Sequence, residues 1–453
     1  MKPGNGFDRI LWSSCLGMLA VGANSTAIMA ALPLMQAELS LTAAGVQWAV
    51  NAYLVMSAAF VVLGGKAADR FDARLTSMAG LALFGAASLI IAVADSQTAL
   101  LAGRVLQGLA AAFAVPGTLA VINAGSSPES RGATIGAWTG FLMLGFSIGP
   151  LFGGSLTHVA GWRVIFWLDA PLVLVAVAGL ASAGTAAAQS VRERAGHDDW
   201  AGFVLLATFM VALVFGLHAL PHAGTAPLSA IGPFALAVAA LVLLLVVEAR
   251  AKAPLVDLGF FARRGFVIGT AIGAVSMFCI MSLLLYFNLY AQSREGLGLT
   301  ALEAGALLLP LGLALLALAL SASALSARVG LRKAMMGGAV LIVIASAILW
   351  AAVAAGEMTV FAVGFLVMGA GLAVPYALAP RLALSALPQS QAGQGSGLVN
   401  ASTFLGGSIG VAAGAMASLA AGFHGVLAMI AVAGIIALAL ARGIPAMPQG
   451  ERP

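Results

Sequence analysis

The chain has 453 residues, of which 62% are apolar and only 8% are charged. Soluble domains carry roughly a quarter charged residues, so this composition excludes a soluble enzyme and a nucleic-acid-binding protein, in spite of the net charge of +5. About 20 apolar residues make one membrane-spanning helix, so the apolar content suffices for about fourteen spans. Cys15 and Cys279 both fall in apolar runs, which predicts packing residues rather than a disulfide.

Apolar runs separated by turn-forming and charged residues predict fourteen helical spans. In chain order the spans cover residues 11–34, 46–65, 75–94, 98–122, 132–156, 163–184, 200–220, 228–247, 266–290, 301–322, 334–355, 358–380, 395–421 and 424–441. The connections between them are too short for a folded domain outside the membrane. We therefore predict an all-α integral membrane protein that crosses the bilayer about fourteen times.

The lysine and arginine residues predict how the spans are oriented. With the N-terminus in the cytoplasm, all but three of the 21 basic residues lie in or beside cytoplasmic segments. The exceptions are Arg163 and Arg294, in outer loops, and Arg104 within span 4. Positive charge accumulates in the cytoplasmic loops of membrane proteins, so both termini are expected in the cytoplasm.

A weak internal repeat relates the two ends of the chain. The residues Gly-Phe-Ser-Ile-Gly at 145–149 recur as Gly-Gly-Ser-Ile-Gly at 406–410, an offset of 261, and Pro116 recurs as Pro375 at 259. The repeat predicts two six-helix bundles in parallel orientation, residues 1–184 and 266–453, with an inserted helix pair and its flanking loops at residues 185–265. Transporters built this way bind substrate near the midplane, between the halves, and expose it alternately to each side.

Three motifs carry a family resemblance. They are Gly65-Lys66-Ala67-Ala68-Asp69-Arg70-Phe71-Asp72-Ala73-Arg74 after span 2, Arg104-Val105-Leu106-Gln107-Gly108 in span 4, and Gly145-x-x-x-Gly149-Pro150-x-x-Gly153-Gly154 in span 5. Over nearly its whole length the chain resembles the major facilitator superfamily, and within it the fourteen-helix drug:proton antiporter branch. The resemblance implies a secondary active transporter, not an enzyme, that exports drug-like or antibiotic small amphiphiles by alternating access and proton antiport. It also implies a bacterial cytoplasmic (inner) membrane and, as energy source, the proton gradient without a cofactor.

The resemblance assigns the first motif to gating and the third to packing. Asp69, Arg70 and Arg74 form the implied cytoplasmic gate, with Asp69 near the start of span 3. Solvated loop charges that only fix topology are the alternative. The antiporter motif is expected to pack closely against neighbouring helices and to bend span 5; its residues are Gly145, Gly149, Pro150, Gly153 and Gly154.

Proton coupling is the hypothesis for Arg104 and Asp169. A charged side chain within a span is costly and indicates a functional site by default. The family typically has an aspartate in span 1 where this chain has Asn24, and more often an asparagine in span 6 where this chain has Asp169. We hypothesise that Asp169 binds the proton and that Arg104 tunes it. The alternatives are a structural cap or pair for Asp169 and an Arg104 side chain that snorkels to the outer headgroups.

Polar side chains within the spans indicate a substrate cavity. The candidates are Asn24, Asn51, Gln107, Asn288, Tyr376 and Asn400, and a hydrogen bond between helices is the alternative for each. The acid-poor interior favours neutral or zwitterionic amphiphiles over dications. We expect a monomer that binds no nucleic acid. His218 and His222 flank Pro221 and have no acid nearby in sequence, so no metal site is predicted.

The residues leave two other functions open. The main alternative is an exporter or facilitator of an endogenous metabolite with weak or no proton coupling. A remote alternative is an intramembrane serine protease, because Gly145-x-Ser147-x-Gly149 and Gly406-x-Ser408-x-Gly410 fit a serine-nucleophile pattern. An ATP-driven pump is excluded, since the chain has no phosphate-binding loop of the form Gly-x-x-x-x-Gly-Lys.

Overall fold

A computed structural model describes residues 5–127, 130–182, 199–220, 227–251, 254–388 and 391–444. Within these ranges every regular element is helical, and thirteen helices are long and apolar enough to cross a membrane. Several residues of the sequence predictions lie outside the described ranges, namely the loop at 185–198 with His197 and Asp198, and His222.

The first eight helices match the predicted spans closely and extend beyond most of them by a few residues. They are α1 (Asn5–Glu38), α2 (Ala43–Arg70), α3 (Ala73–Ala92), α4 (Gln97–Gly125), α5 (Arg131–Ala160), α6 (Arg163–Ser182), α7 (Trp200–Ala219) and α8 (Pro227–Arg250). A short 3-10 helix, Leu258–Ala262, leads into the second half of the chain.

The remaining helices follow the same prediction with two local differences. They are α9 (Arg264–Gln292), α10 (Ala301–Leu307), α11 (Leu309–Val329), α12 (Leu331–Ala355), α13 (Met358–Ser385) and α14 (Ala392–Arg442). The short helix α10 and α11 together form predicted span 10. Helix α14 covers predicted spans 13 and 14, and its helical geometry breaks at Ala421 and Gly422, where Gly422 has a φ of 58°. The predicted count of fourteen spans is reached only when α14 is counted as two.

Side-chain caps determine where several helices begin. Thr42 Oγ1 accepts a hydrogen bond from the Gly45 backbone N–H at 2.9 Å, at the start of α2. Thr300 and Glu303 form a reciprocal capping box at the start of α10. These contacts satisfy backbone N–H groups that have no partner inside the helix.

Helices α1–α6 pack mainly with one another, and so do α9 and α11–α14, whereas α10 packs mainly against α5. Close helix–helix approaches in each half use glycine. Gly153 of α5 packs on the Ala27 carbonyl of α1, and Gly406 of α14 packs on the Ala274 carbonyl of α9, with no room for a Cβ in either place. Without a hydrophobic driving force between helices in lipid, such small-residue contacts are a main source of helix association.

The two bundles touch at both ends of the molecule. We call the end at which α1 begins, with Arg70, Arg74 and Arg263, the basic end. At the opposite end, Gln292 Nε2 of α9 donates to the Ala30 carbonyl of α1 at 2.9 Å. At the basic end, Asp69 Oδ2 of α2 lies 4.0 Å from the position that a Cβ on Gly393 of α14 would take.

The inserted pair α7–α8 contacts both bundles. Helix α7 packs against α2 and α14, and its apolar side chains belong to one buried cluster with residues of both halves. That cluster includes Val61 of α2, Leu206 of α7, Leu244 of α8, Phe266 of α9 and Val399 of α14. The pair therefore lies beside the interface of the two bundles, with this shared apolar cluster towards the basic end.

Candidate functional site

Five polar side chains from four helices form a closed hydrogen-bonded ring inside the N-terminal bundle. Asn24 belongs to α1, Ser88 to α3, Arg104 and Gln107 to α4, and Asp169 to α6. All five are buried; Arg104 is 0% and Asp169 is 7% exposed. The structure thus brings together both residues of the proton-coupling hypothesis and two of the six proposed cavity residues.

Two chains of hydrogen bonds run from Arg104 to the same carboxyl oxygen of Asp169. In the shorter chain, Arg104 Nη1 donates to Asn24 Oδ1 at 2.9 Å, and Asn24 Nδ2 donates to Asp169 Oδ2 at 2.5 Å. Among the described residues no ion pair joins Arg104 directly to Asp169. The amide of Asn24 therefore stands between the positive and the negative charge.

The longer chain passes through α4 and α3. Arg104 Nη1 also donates to Gln107 Oε1 at 2.6 Å, Gln107 Nε2 donates to Ser88 Oγ at 2.8 Å, and Ser88 Oγ donates to Asp169 Oδ2 at 3.2 Å. Every donor in both chains points from the guanidinium towards the carboxylate. Aligned hydrogen bonds of this kind polarise one another, so the arrangement stabilises an ionised Asp169.

The remaining contacts of Arg104 fix its position against α2. Its Nε donates to the Ala49 carbonyl at 2.6 Å, and its guanidinium carbon lies 4.7 Å from the centre of the Tyr53 ring. Ser25 in turn donates to the Tyr53 hydroxyl at 3.1 Å. Arg104 Nη2 is buried and has no hydrogen-bond partner among the described residues. This geometry excludes the alternative in which Arg104 snorkels to the membrane surface.

The other proposed cavity residues do not join the ring. Asn51 Nδ2 lies 3.1 Å from His218 Nε2 of α7, so this amide faces the inserted pair. Asn288 donates to the Leu284 carbonyl of its own helix at 2.8 Å. Tyr376 and Asn400 are partly exposed, whereas the other four are buried.

The predicted gate residues lie at the basic end, with one correction to their roles. Asp69 is in the last turn of α2, and it does not lie at the start of span 3 as expected. Asp72 caps α3 instead, because its Oδ1 accepts from the backbone N–H groups of Arg74 at 2.7 Å and Leu75 at 3.2 Å. The Arg74 side chain donates to the Ala181 carbonyl of α6, which is the reach to a neighbouring helix that the motif predicts.

The glycines of the antiporter motif divide between two partners. Gly145, Gly149 and Gly153 recur every four residues and lie against the backbone of α1. Gly154 lies against the Ala301 carbonyl of α10, and the Pro150 carbonyl contacts Gly305 of α10. Helix α5 is therefore packed tightly on its own bundle and also forms part of the seam between the bundles. Its geometry stays helical through Pro150.

Sequence reasoning missed the contacts or the burial that the structure shows for three polar residues. Ser88 joins the ring, and a serine in a helix gives no signal on its own because most bond to their own backbone. His218 stacks on Trp48 at 4.6 Å in addition to meeting Asn51. Glu248 is 4% exposed, although it falls just outside predicted span 8; the longer α8 places it inside.

Comparison with known proteins identifies the family. The profile of the Major Facilitator Superfamily matches residues 14–411 and, a second time, 297–452. The tetracenomycin C resistance and export protein of Streptomyces glaucescens is 32% identical over 90% of this chain and 76% of its own length. The multidrug resistance protein Stp of Mycobacterium tuberculosis is 27% identical over 88% of this chain and 73% of its own.

A solved structure shows the same fold. The crystal structure of the peptide transporter POT in complex with alafosfalin superposes with a TM-score of 0.71, at 15% identity, and covers 96% of both chains. At that identity the likeness concerns the fold alone. Ser147 and Ser408, of the remote protease reading, lie in the glycine motifs that pack against neighbouring helices.

Proposed function

Because the chain belongs to the Major Facilitator Superfamily, and its relatives include named resistance and export proteins, we propose that it exports small amphiphilic compounds by proton antiport. In this proposal Asp169 carries the proton, and the ring that holds it couples proton binding to the movement of the bundles. The chain is a transporter and not an enzyme.

The contact between Asn24 and Asp169 carries the proposal. The family pattern places the acid on span 1 and the amide on span 6, and this chain has the two side chains exchanged. Asn24 Nδ2 and Asp169 Oδ2 lie 2.5 Å apart, so the exchange keeps one carboxyl and one amide in the same ring. In this proposal the carboxyl function has moved from span 1 to span 6 and remains in one ring with Arg104.

Protonation of Asp169 would change the ring in a defined way. The ionised carboxylate accepts from Asn24 and Ser88 and is balanced by Arg104 through both chains. A proton on Asp169 removes the negative charge, so the buried Arg104 loses its counter-charge and needs another acceptor. Arg104 would then turn to that acceptor, and the ring would rearrange. We propose that substrate binds while Asp169 is ionised, through the unpartnered Nη2 of Arg104, and that the rearrangement on protonation releases it. Proton and substrate would thus exclude each other on one network, as antiport requires.

The orientation and the substrate class follow from charge. The basic end is assigned to the cytoplasm, with both termini there and the protein in the bacterial inner membrane. Asp69 beside Gly393, together with Arg70 and Arg74, would form the cytoplasmic gate between the bundles. Asp169 is the single acid in the ring and is already engaged, which disfavours dicationic substrates. We therefore expect neutral or zwitterionic amphiphiles, carried by a monomer.

Transport in proteoliposomes tests the proposal. The purified protein is reconstituted, a pH gradient is imposed, and uptake of tetracenomycin C and of the monocation ethidium is measured together with proton flux. We expect gradient-driven uptake with counterflow of protons, and loss of both in Asp169→Asn. The matched control is Asp95→Asn, which removes an exposed acid from a loop.

Export or facilitated diffusion of an endogenous metabolite is the second candidate. A permanent structural ring, in which Asp169 stays ionised through the cycle, would suit that function equally well. Substrate movement in the wild type that is independent of the pH gradient, and unchanged in Asp169→Asn, would favour the facilitator.

A further inference from the structure

Two acids meet at the basic end of the inserted helix pair. Asp199 caps α7, and its Oδ1 accepts from the Gly202 backbone N–H at 2.7 Å. Glu248 lies in the last turns of α8 and is 4% exposed. Asp199 Oδ2 and Glu248 Oε1 lie 2.5 and 2.6 Å from the point where a Cβ on Gly202 would stand, so the two carboxyl groups share the space above this glycine.

The carboxyl group of Glu248 has no opposing charge among the described residues. Both of its oxygens are buried and neither meets hydrogen-bond geometry; their polar neighbours are Asp199 and the backbone of Leu255 and Val256. The other side chains packed around the end of α8 are apolar and include Phe203, Leu206 and Leu244.

The charged side chains of the surrounding elements either form hydrogen bonds elsewhere or are exposed. On α8 itself Arg250 is exposed. Asp257, which precedes the 3-10 helix, accepts from Gly259 and Gln391, and Arg263, which follows it, donates to a backbone carbonyl of α13. Lys252 lies outside the described residues, and the experiment below addresses it directly.

We propose that Asp199 and Glu248 bind one proton between them, at a site separate from Asp169. Two carboxylates this close, one of them buried, cannot both be ionised without a cation, because each disfavours the charge of the other. Burial of an unpaired carboxylate is costly in addition, and a bound proton removes that cost. Asp199 is engaged as the cap of α7, whereas both oxygens of the buried Glu248 carboxyl lack a hydrogen-bond partner, so Glu248 is the residue that carries the proton.

The position of the pair gives the bound proton a consequence. The Leu255 backbone N–H points to Asp199 Oδ2 at 3.4 Å, while the Pro254 and Leu255 carbonyls both accept from Gln394 Nε2 of α14 at 2.8 Å. Residues 254–255 thus connect the carboxyl pair to the helix whose Gly393 faces Asp69. Loss of the proton would place two negative charges against this segment and loosen its hold on α14, so the site would adjust the gate to the pH at the basic end.

Infrared spectroscopy of the intact protein in lipid nanodiscs tests the site without a variant. Glutamate labelled with 13C at its side-chain carboxyl carbon is incorporated into the protein. The C=O stretch of protonated carboxyl groups is then recorded at neutral pH in H2O and D2O. We expect one protonated glutamate. Label on glutamate leaves Asp169 silent, so this result does not depend on the proposed coupling. Absence of any protonated glutamate at neutral pH in the wild type would overturn the proposal.

Four variants assign the band to the pair. Glu248→Gln, which is close to the protonated side chain in shape, should remove it. Asp199→Asn should reduce it severalfold, because the neighbouring negative charge is lost. Glu295→Gln, at the opposite end, and Lys252→Ala should leave it unchanged. A band that survives Glu248→Gln, or one that grows markedly in Lys252→Ala and so reveals a lysine counter-charge, contradicts the inference.

Discussion

The N-terminal and C-terminal bundles can be compared position by position, because Arg104, Gln107 and Asp169 have counterparts at the repeat offset of 261. The counterparts are Phe365, Met368 and Ile430, and all three are fully buried. On this helix the packing supports the offset of 261 and not the offset of 259 that relates Pro116 to Pro375: Gly108 lies against the Tyr53 carbonyl in one half, and Gly369 lies against the Leu311 carbonyl in the other. One helix scaffold therefore holds a polar ring in one half and an apolar core in the other.

The serine on the third helix of each half shows the same contrast. Ser88 and Ser346 are related by an offset of 258, which also relates Gly80 to Gly338 on the same two helices. Ser88 donates to Asp169, whereas Ser346 donates to the Ile342 carbonyl of its own helix at 2.9 Å. In the C-terminal half, Phe287 and Phe365 make an edge contact with centroids 4.6 Å apart. The comparison teaches that the helix scaffold and the polar ring are separable, so the proton coupling that we propose for the ring would belong to the N-terminal half.

Replacement of Arg104 should have the largest effect. Arg104→Leu leaves Asp169 buried without its counter-charge and is expected to destabilise the protein by about 3–5 kcal/mol and to abolish proton-driven uptake. Phe365→Leu, at the matched position, should cost about 1–2 kcal/mol and retain uptake. Thermal unfolding in detergent and uptake in proteoliposomes measure both. Equal losses in the two variants would break the comparison.

Substitution of the closely packed glycines by alanine should reduce stability by similar amounts in the two halves. A Cβ on Gly149 would meet Thr26 Oγ1 and the Ala23 carbonyl, and one on Gly410 would meet the Phe278 carbonyl and Ser282 Oγ. Each position includes a contact with backbone as well as one with a side-chain hydroxyl, so Gly149→Ala and Gly410→Ala should each cost about 1–3 kcal/mol. The unfolding temperatures of the two variants measure this loss of stability. A large effect in one half alone would mean that the packing scheme is not shared.

The serine pair isolates one hydrogen-bond chain of the ring. Ser88→Ala removes the donor to Asp169 and the acceptor of Gln107, which should cost about 1–2 kcal/mol and slow proton-coupled uptake severalfold. Ser346→Ala removes only a bond within its own helix, and a change of about 0.5 kcal/mol or less is expected with normal uptake. Initial uptake rates of the two variants are measured at several pH values. A Ser88→Ala rate equal to that of the wild type would show that the shorter hydrogen-bond chain, through Asn24, is sufficient for proton-coupled uptake.

An exposed ion pair should have the smallest effect. Arg163 Nη1 and Glu38 Oε2 lie 2.7 Å apart with both side chains about 40% exposed. Glu38→Gln should cost at most about 1 kcal/mol, less at high salt, and leave uptake intact. Unfolding at two salt concentrations checks this. A loss comparable to Arg104→Leu would show that surface charge outweighs the buried ring.

The lengths of the apolar runs predicted most of the fold, because each helix that crosses the bilayer needs its own apolar run, whichever helices pack around it. The prediction was least accurate where tertiary packing determines the local structure. An example is the break in helical geometry at Ala421 and Gly422, which lies inside a continuous apolar stretch. The capping of α3 by Asp72 instead of Asp69 depended on where α2 ends, which hydropathy locates only to within a few residues.

The charged residues of the site could be predicted from the sequence, because charged residues within spans are scarce in this chain. Arg104 and Asp169 were found because an ionised group in a span is costly. Asn24 stood out only by comparison with a family pattern. Ser88 and the pairing of Asn51 with His218 could not be inferred, since hydroxyl and amide groups are common in spans and their partners depend on how helices rotate against one another. Glu248 lay just past the end of a predicted span.

Exchange of the two ring side chains tests the central claim most directly. In the double variant Asn24→Asp/Asp169→Asn, the carboxyl returns to α1 and the amide to α6, 2.5 Å apart as before. We predict that Asp169→Asn loses proton-driven uptake and that the double variant recovers it, because the ring again holds one carboxyl within reach of Arg104. Proton-driven uptake that persists in Asp169→Asn, or a folded double variant that remains as inactive as Asp169→Asn, would contradict the account.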